Sequence, residues 1–145
     1  MTIHQKDIEF GFWNIKRREP LYLNYDDPRL ESEKCIGIGF HDEYNKSKDI
    51  KEWNKKLEYL ENIEYLWTYH KLNQNTFDII TQMKNLKGLC IKWSSIKSIE
   101  SLSNMKGLQH LNLGLSTNII DLKPIVSLEN LVTFESENLK NVKDW

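Results

Sequence analysis

Residues 86–128 read LKGLCIKWSSIKSIESLSNMKGLQHLNLGLSTNIIDLKPIVSL, and the spacing of their apolar side chains decides the fold. Leu86, Leu89, Ile91, Ile96, Ile99, Leu102 and Met105 are answered in order by Leu108, Leu111, Leu113, Ile119, Leu122, Ile125 and Leu128. The offset is 22 residues in the first half of the unit and 23 in the second, after one residue inserted near Ser116 to Asn118. Forward of this stretch a further copy opens at Leu131, with Phe134 and Ser136 in register, and closes early with Leu139, Val142 and Trp145. Backward, Ile63, Leu66 and Thr68 precede Leu86, Leu89 and Ile91 by 23 residues, and Phe77, Ile80 and Met83 precede Ile99, Leu102 and Met105 by 22. Four copies therefore align. A fixed period of this length marks units that cannot bury their own apolar side chains and do so by stacking.

Within one copy the first apolar residues sit three and then two apart, the spacing of a short strand whose fourth and sixth residues point inward. The later residues recur every third position, as in Ile96, Ile99, Leu102 and Met105, which fits short 3₁₀ or helical turns. The pattern LxxLxLxxxxIxxIxxLxxL resembles the 22-residue leucine-rich repeat of bacterial internalin-like proteins. Ile119 to Leu131, IIDLKPIVSLENL, is similar to that family's I-x-D-I-x-P-L-x-x-L-x-N-L segment. The resemblance covers Ile63 to Trp145. It implies an α/β solenoid with a parallel sheet on the concave side and 3₁₀ turns or short helices on the convex side. The sequence departs from the family at Ser94 and Thr117, near which a buried asparagine would serve the loop backbone and a hydroxyl stands instead.

The remaining residues, 1–62, are read as a mixed N-terminal cap packed on the solenoid of residues 63–145, the whole forming one structural domain. Ile8, Phe10 and Phe12 alternate with Glu9 and Gly11, and Pro20 to Tyr25 gives a second run with Leu21, Leu23 and Tyr25, so two strands or a hairpin are expected. Asp26, Asp27 and Pro28 signal a turn, and Cys35 to Phe40 a further strand with Ile36 and Ile38 inward. Asp49 with Glu52 offers a capping box, followed at helical spacing by Ile50, Trp53, Leu57 and Leu60, which predicts one amphipathic helix over 49–62.

Alternation assigns the concave side of the sheet to Cys35, Gly37 and Gly39; Tyr65, Trp67 and Tyr69; Gly88, Cys90 and Lys92; His110, Asn112 and Gly114; and Thr133, Glu135 and Glu137. Tyr65, Trp67 and Tyr69 form a ridge between glycine-bearing strands, with His70 and Trp93 just beyond its edge. Tyrosine and tryptophan bury large areas at modest entropic cost, and an exposed aromatic row marks an interaction site. A partner protein is therefore expected to contact Tyr65, Trp67, Tyr69, Lys92, His110, Asn112, Glu135 and Glu137. The alternative is that the N-terminal segment, with Phe10, Phe12, Trp13 and Tyr22, folds over these rings and makes them core.

The chain of 145 residues has net charge −1, and 28% of its residues are charged. Its pI is near 6.4 and its mean hydropathy −0.60. Near-neutral charge leaves no electrostatic footprint for nucleic acid, and Lys16-Arg17-Arg18 and Lys55-Lys56 are too short to form one. No window approaches the 18 or so apolar residues of a membrane helix. The start lacks a secretory h-region, and the two cysteines fit a reducing cytosol, so a cytoplasmic location is expected. His4, His41, His70 and His110 have no ligand spacing and the glycines form no phosphate cradle, so no metal or cofactor is expected.

Cys90, His110 and Asn112 are a conceivable thiol-hydrolase group. However, the strand spacing places the Cys90 and His110 backbones roughly 8 Å apart, on an open sheet with no cleft, and a non-enzymatic role is preferred. The resemblance implies a binding module, with an intracellular inhibitor or immunity-type protein as its most concrete form. A module of a longer surface or adhesion protein is the alternative. A monomer is expected, or a weak homodimer through the last strand.

Overall fold

A computed structural model describes residues 20–143. The strand expected over Ile8 to Phe12, the Lys16 to Arg18 run and the closing Trp145 lie outside the described residues. Among the described residues six strands form one sheet in chain order: β1 (Leu21–Leu23), β2 (Cys35–Ile38), β3 (Tyr65–Leu72), β4 (Gly88–Ser94), β5 (His110–Leu115) and β6 (Thr133–Ser136). Every neighbouring pair is parallel. The register carries the sequence repeat into space, since Leu66, Leu89, Leu111 and Phe134 are successive partners across β3 to β6.

The sheet does not begin with the aligned copies. β1 and β2, from the segment read as a cap, belong to the same parallel sheet, and the hairpin considered between Ile8 to Phe12 and the β1 run involves residues outside those described. The inward residues of the strands, Leu23, Ile36, Leu66, Leu89, Ile91, Leu111 and Leu113, join one core with Trp53, Phe77, Leu102 and Leu122 from the return segments. Those segments carry helix α1 (Ser47–Lys56), helix α2 (Gln74–Ile80) and 3₁₀ turns at Pro28–Glu31, Leu57–Tyr59, Glu100–Asn104 and Lys123–Ser127. The three-residue apolar spacing suits the last two turns, which pack against each other across adjacent units.

Helix α1 departs from the capping-box expectation. It starts at Ser47, two residues before Asp49, and its N-cap Lys46 makes no side-chain cap bond. Asp49 is buried and accepts a hydrogen bond from the backbone N–H of His41, so it fastens the loop before the helix. The helix also ends early, passing into the 3₁₀ turn at Leu57. Asn62 lies beyond it and donates its amide to the carbonyls of Leu30 (2.8 Å) and Glu33 (2.7 Å). The buried Trp53 indole spans from α1 to the sheet, donating to the Gly39 carbonyl at 2.9 Å. Helix α2 has a side-chain cap, with Asn73 Oδ1 accepting from the Thr76 N–H at 2.8 Å.

Two polar ladders tie the units together. Buried Ser94 and Ser116 share a hydroxyl–hydroxyl bond of 2.7 Å where the resemblance led one to look for asparagine, so Ser116, one residue before Thr117, is the true counterpart of Ser94. Asparagines do recur on the loops: Asn85 donates to the Glu61 carbonyl (2.7 Å), Asn130 to Lys106 (2.6 Å) and Asn141 to Thr117 (2.7 Å). Each satisfies a loop carbonyl 24 residues upstream.

Candidate functional site

The register sets the concave side in rows. Gly37, Trp67, Cys90, Asn112 and Glu135 are partners in one row, and Cys35, Tyr65, Gly88, His110 and Thr133 in the row before it. Of the sequence-derived contact residues, Tyr65, Trp67, His110, Asn112 and Glu135 fall in these two rows, from β3 to β6. Their exposure differs from the expectation. Trp67 and Cys90 are each 5% exposed and form a small apolar cluster separate from the core, while His110 and Asn112 are also buried. Tyr65 is half-buried, and burial pushes its phenol pKa up. The ridge is therefore not a free-standing row of three rings.

The polar members of the face are held by their neighbours. His110 Nδ1 lies 2.9 Å from Thr133 Oγ1, and burial lowers the pKa of its imidazole. Asn112 Nδ2 donates to Glu135 Oε2 at 2.9 Å. Cys90 faces Asn112 across the β4–β5 ladder as the spacing implied, with His110 one row away opposite Gly88. Both cysteines are free thiols, and burial, first of all, raises the pKa of Cys35.

What stands exposed is the C-terminal rim of the face. Tyr22, Tyr69, Trp93 and Leu115 keep between 40% and 52% of their surface open. They are contiguous for reasons that can be read residue by residue. Gly37 leaves no Cβ, so the Tyr22 ring crosses strand β2 over it; a Cβ there would meet the ring carbons. Tyr22 then reaches Tyr69 edge-on at 5.5 Å between centroids, and Tyr69 stacks on Trp67 at 6.3 Å and 17°. The Trp93 indole donates to the Tyr69 carbonyl at 3.1 Å, and Trp93 is the ladder partner of Leu115. Lys71 places its ammonium 5.8 Å from the Trp93 ring centroid. Sequence reading put Trp93 beside the site and gave Lys71 and Leu115 no role, because a register shift between Thr68 and Lys71 realigns β3 on β4 and brings Lys71 opposite Trp93.

Where β2 stops and β3 continues, the rim opens into a cavity of about 420 Å³ lined by Pro20, Tyr22, Phe40, Trp67, Tyr69 and His70, among others. The His70 ring is buried and packs edge-on against Phe40 at 4.9 Å, and among the described residues neither ring nitrogen has a hydrogen-bond partner. Burial, reinforced by the charge of Lys46, lowers its pKa from 6.5 to about 4, so it is neutral near pH 7. Among the described residues no group of three or more His, Cys, Asp or Glu could hold a metal ion, and no helix is long and apolar enough to cross a membrane.

Parallel strands joined by short helices and 3₁₀ turns, stacked in chain order on a two-sided sheet, define an α/β repeat solenoid of leucine-rich-repeat type. Among solved structures this fold is shared by internalin C2 from Listeria monocytogenes strain 4b F2365, with a TM-score of 0.50 and 23% identity over 56% of this chain and 35% of that one. The chain thus spans about a third of the length of that protein, and the likeness is one of fold. No family model matches the chain, and no curated protein does.

Proposed function

We propose that the chain is a protein-binding module that works through the concave side of its sheet, with the contact centred on the rim of Tyr22, Tyr69, Trp93 and Leu115. One observation carries this: four large apolar side chains from β1, β3, β4 and β5 stand 40% to 52% exposed in a continuous strip, while Trp67, Cys90, His110 and Asn112 on the same face are buried. Rigid strands presenting aromatics with few rotamers lose little entropy on binding, which suits an interface. Exposed Lys71 and Lys92 flank the strip and Glu135 and Glu137 lie at its far end, so the fitting partner has an apolar centre with acidic groups toward β3 and β4. Of the residues drawn from the sequence, Tyr69, Lys92, Glu135 and Glu137 remain in this site as direct contacts, and Tyr65, Trp67, His110 and Asn112 support it from beneath.

Finer points belong to the same proposal. The repeats are of the 22-residue internalin-like class, supported by the Ile119 to Leu131 segment, and residues before Ile63 close the N-terminal end of the stack. The concrete role is that of an intracellular inhibitor of the immunity type, a pre-formed surface that blocks a partner without rearranging. The test is affinity capture from the source cell's lysate with wild type and a Tyr69→Ala/Trp93→Ala variant, both verified to be folded. A stoichiometric protein kept by wild type and lost by the variant supports the rim; equal retention by both removes it.

A further inference from the structure

We propose that the cavity where β2 stops and β3 continues is a small-molecule site, and that its ligand is a planar ring bearing a carboxylate. The inference goes beyond the protein-binding reading and does not depend on it, although Tyr22 and Tyr69 belong to both surfaces.

The described lining residues divide by chemistry. On one side stand rings from β1 and β3: Tyr22 meets Tyr69 edge-on at 5.5 Å, and Tyr69 stacks on Trp67 at 6.3 Å and 17°. Such rings suit a flat apolar group, which gains buried area together with stacked or edge-on contacts. The polar groups come from the loop between β2 and α1 and from His70 on β3. Phe40 is their common neighbour, with the Lys46 ammonium 5.0 Å from its ring centroid and the His70 ring edge-on at 4.9 Å. The volume of about 420 Å³ falls within the range of small-ligand pockets, about 300–1,000 Å³.

Charge selects the sign of the ligand. His70 is neutral near pH 7, so Lys46 is the one cation among the described lining residues and Glu43 the one anion. The two pair at 3.1 Å but are unequally placed, since the Lys46 side chain is 34% exposed and that of Glu43 67%. An exposed pair of this kind is weak, and the more solvated carboxylate is the member that water takes back at little cost. An incoming carboxylate therefore replaces Glu43 and keeps Lys46. His70 favours the same chemistry. Both of its ring nitrogens are buried, and among the described residues neither has a hydrogen-bond partner. A neutral imidazole has one N–H to donate, and leaving it unsatisfied in the interior is costly. A ligand oxygen that accepts from it removes that cost.

The experiment titrates the full chain near pH 7 with indole-3-acetate, its neutral isostere indole-3-acetamide and the cation tryptamine, by calorimetry, for wild type and Lys46→Gln. Wild type is expected to bind one indole-3-acetate per chain at least about tenfold more tightly than the amide, and Lys46→Gln to bring acid and amide within about twofold of each other. In amide and imidazole NMR spectra the largest shifts on adding indole-3-acetate are expected at Phe40, Lys46, Trp67, Tyr69 and His70. Equal affinity for acid and amide in wild type overturns the proposal, as does tryptamine binding tightest of the three or a preference that survives in Lys46→Gln. So do shifts centred away from the cavity, or no saturable binding at millimolar probe. Tighter binding of an acetylated tripeptide ending in tryptophan than of indole-3-acetate would make a polypeptide terminus the occupant and contradict the small molecule. Should Lys46→Gln not fold, the acid and amide affinities and the shift map of wild type decide by themselves. No partner protein enters these titrations, so their failure leaves the rim proposal standing.

Discussion

His70 links stability to pH through one side chain. In the unfolded chain it takes a proton near pH 6.5 and in the fold only near pH 4. Between those values the unfolded state binds more protons, so the His70 contribution is complete above about pH 6.5 and is lost as the pH falls toward 4. The span is about 3 kcal/mol by the usual linkage conversion. Urea midpoints at pH 7.5 and pH 5 are expected to fall more in wild type than in His70→Leu, and an equal fall in both would assign the effect to other groups. Gly114 marks a different constraint: a Cβ there would run into the Lys92 backbone carbonyl, which cannot swing aside. Gly114→Ala is therefore expected to cost at least about 2 kcal/mol in chemical denaturation through forced separation of β4 and β5. Gly114 was legible as a small concave residue, but its backbone contact was not. The face on which His70 lies was hidden by the shift in β3 register, which breaks the alternation that sequence reading depends on.

At the level of elements, the strands β3 to β6 and the 3₁₀ returns follow from apolar spacing, since a repeat forces each position to meet its own counterpart. The helix boundaries do not follow, because a buried Asp49 bonded to a loop N–H looks in sequence like a cap. The ladders supply predictions. Ser94→Ala alone leaves the buried Ser116 hydroxyl without its partner and is expected to cost about 1–2 kcal/mol, while Ser94→Ala/Ser116→Ala is expected to cost less than the sum of the single changes, as read in a double-mutant cycle. Additive costs would show that the bond contributes nothing. Gly107 stands at the loop position filled by Asn85 and Asn130, and open space surrounds the site of its missing Cβ. Gly107→Asn is expected to add a rung toward the carbonyls of Met83 and Lys84 and raise stability by about 0.5–1 kcal/mol, measured as a higher urea midpoint.

For the whole molecule, a stack of parallel strands produces one face turned away from its own core, and the chemistry of that face sets what the protein can meet. The sequence identified the face and its aromatic character. It misjudged which rings are open, because alternation gives direction and says nothing of cover: Trp67 and Tyr69 point to the same side, yet one is 5% and the other 52% exposed. Trp93 and Leu115 follow from register across strands, which becomes visible only when β3, β4 and β5 are laid side by side. The most direct measurement is the affinity of the captured partner for wild type, for Tyr69→Ala/Trp93→Ala, and for the convex-side control Val126→Ser, by titration calorimetry. Truncating two hot-spot aromatics costs about 3 kcal/mol or more, so the rim variant is expected to bind at least about a hundredfold more weakly and the convex control within about twofold of wild type. Equal affinity for the rim variant and wild type, or a loss confined to Val126→Ser, would contradict the concave rim as the binding surface.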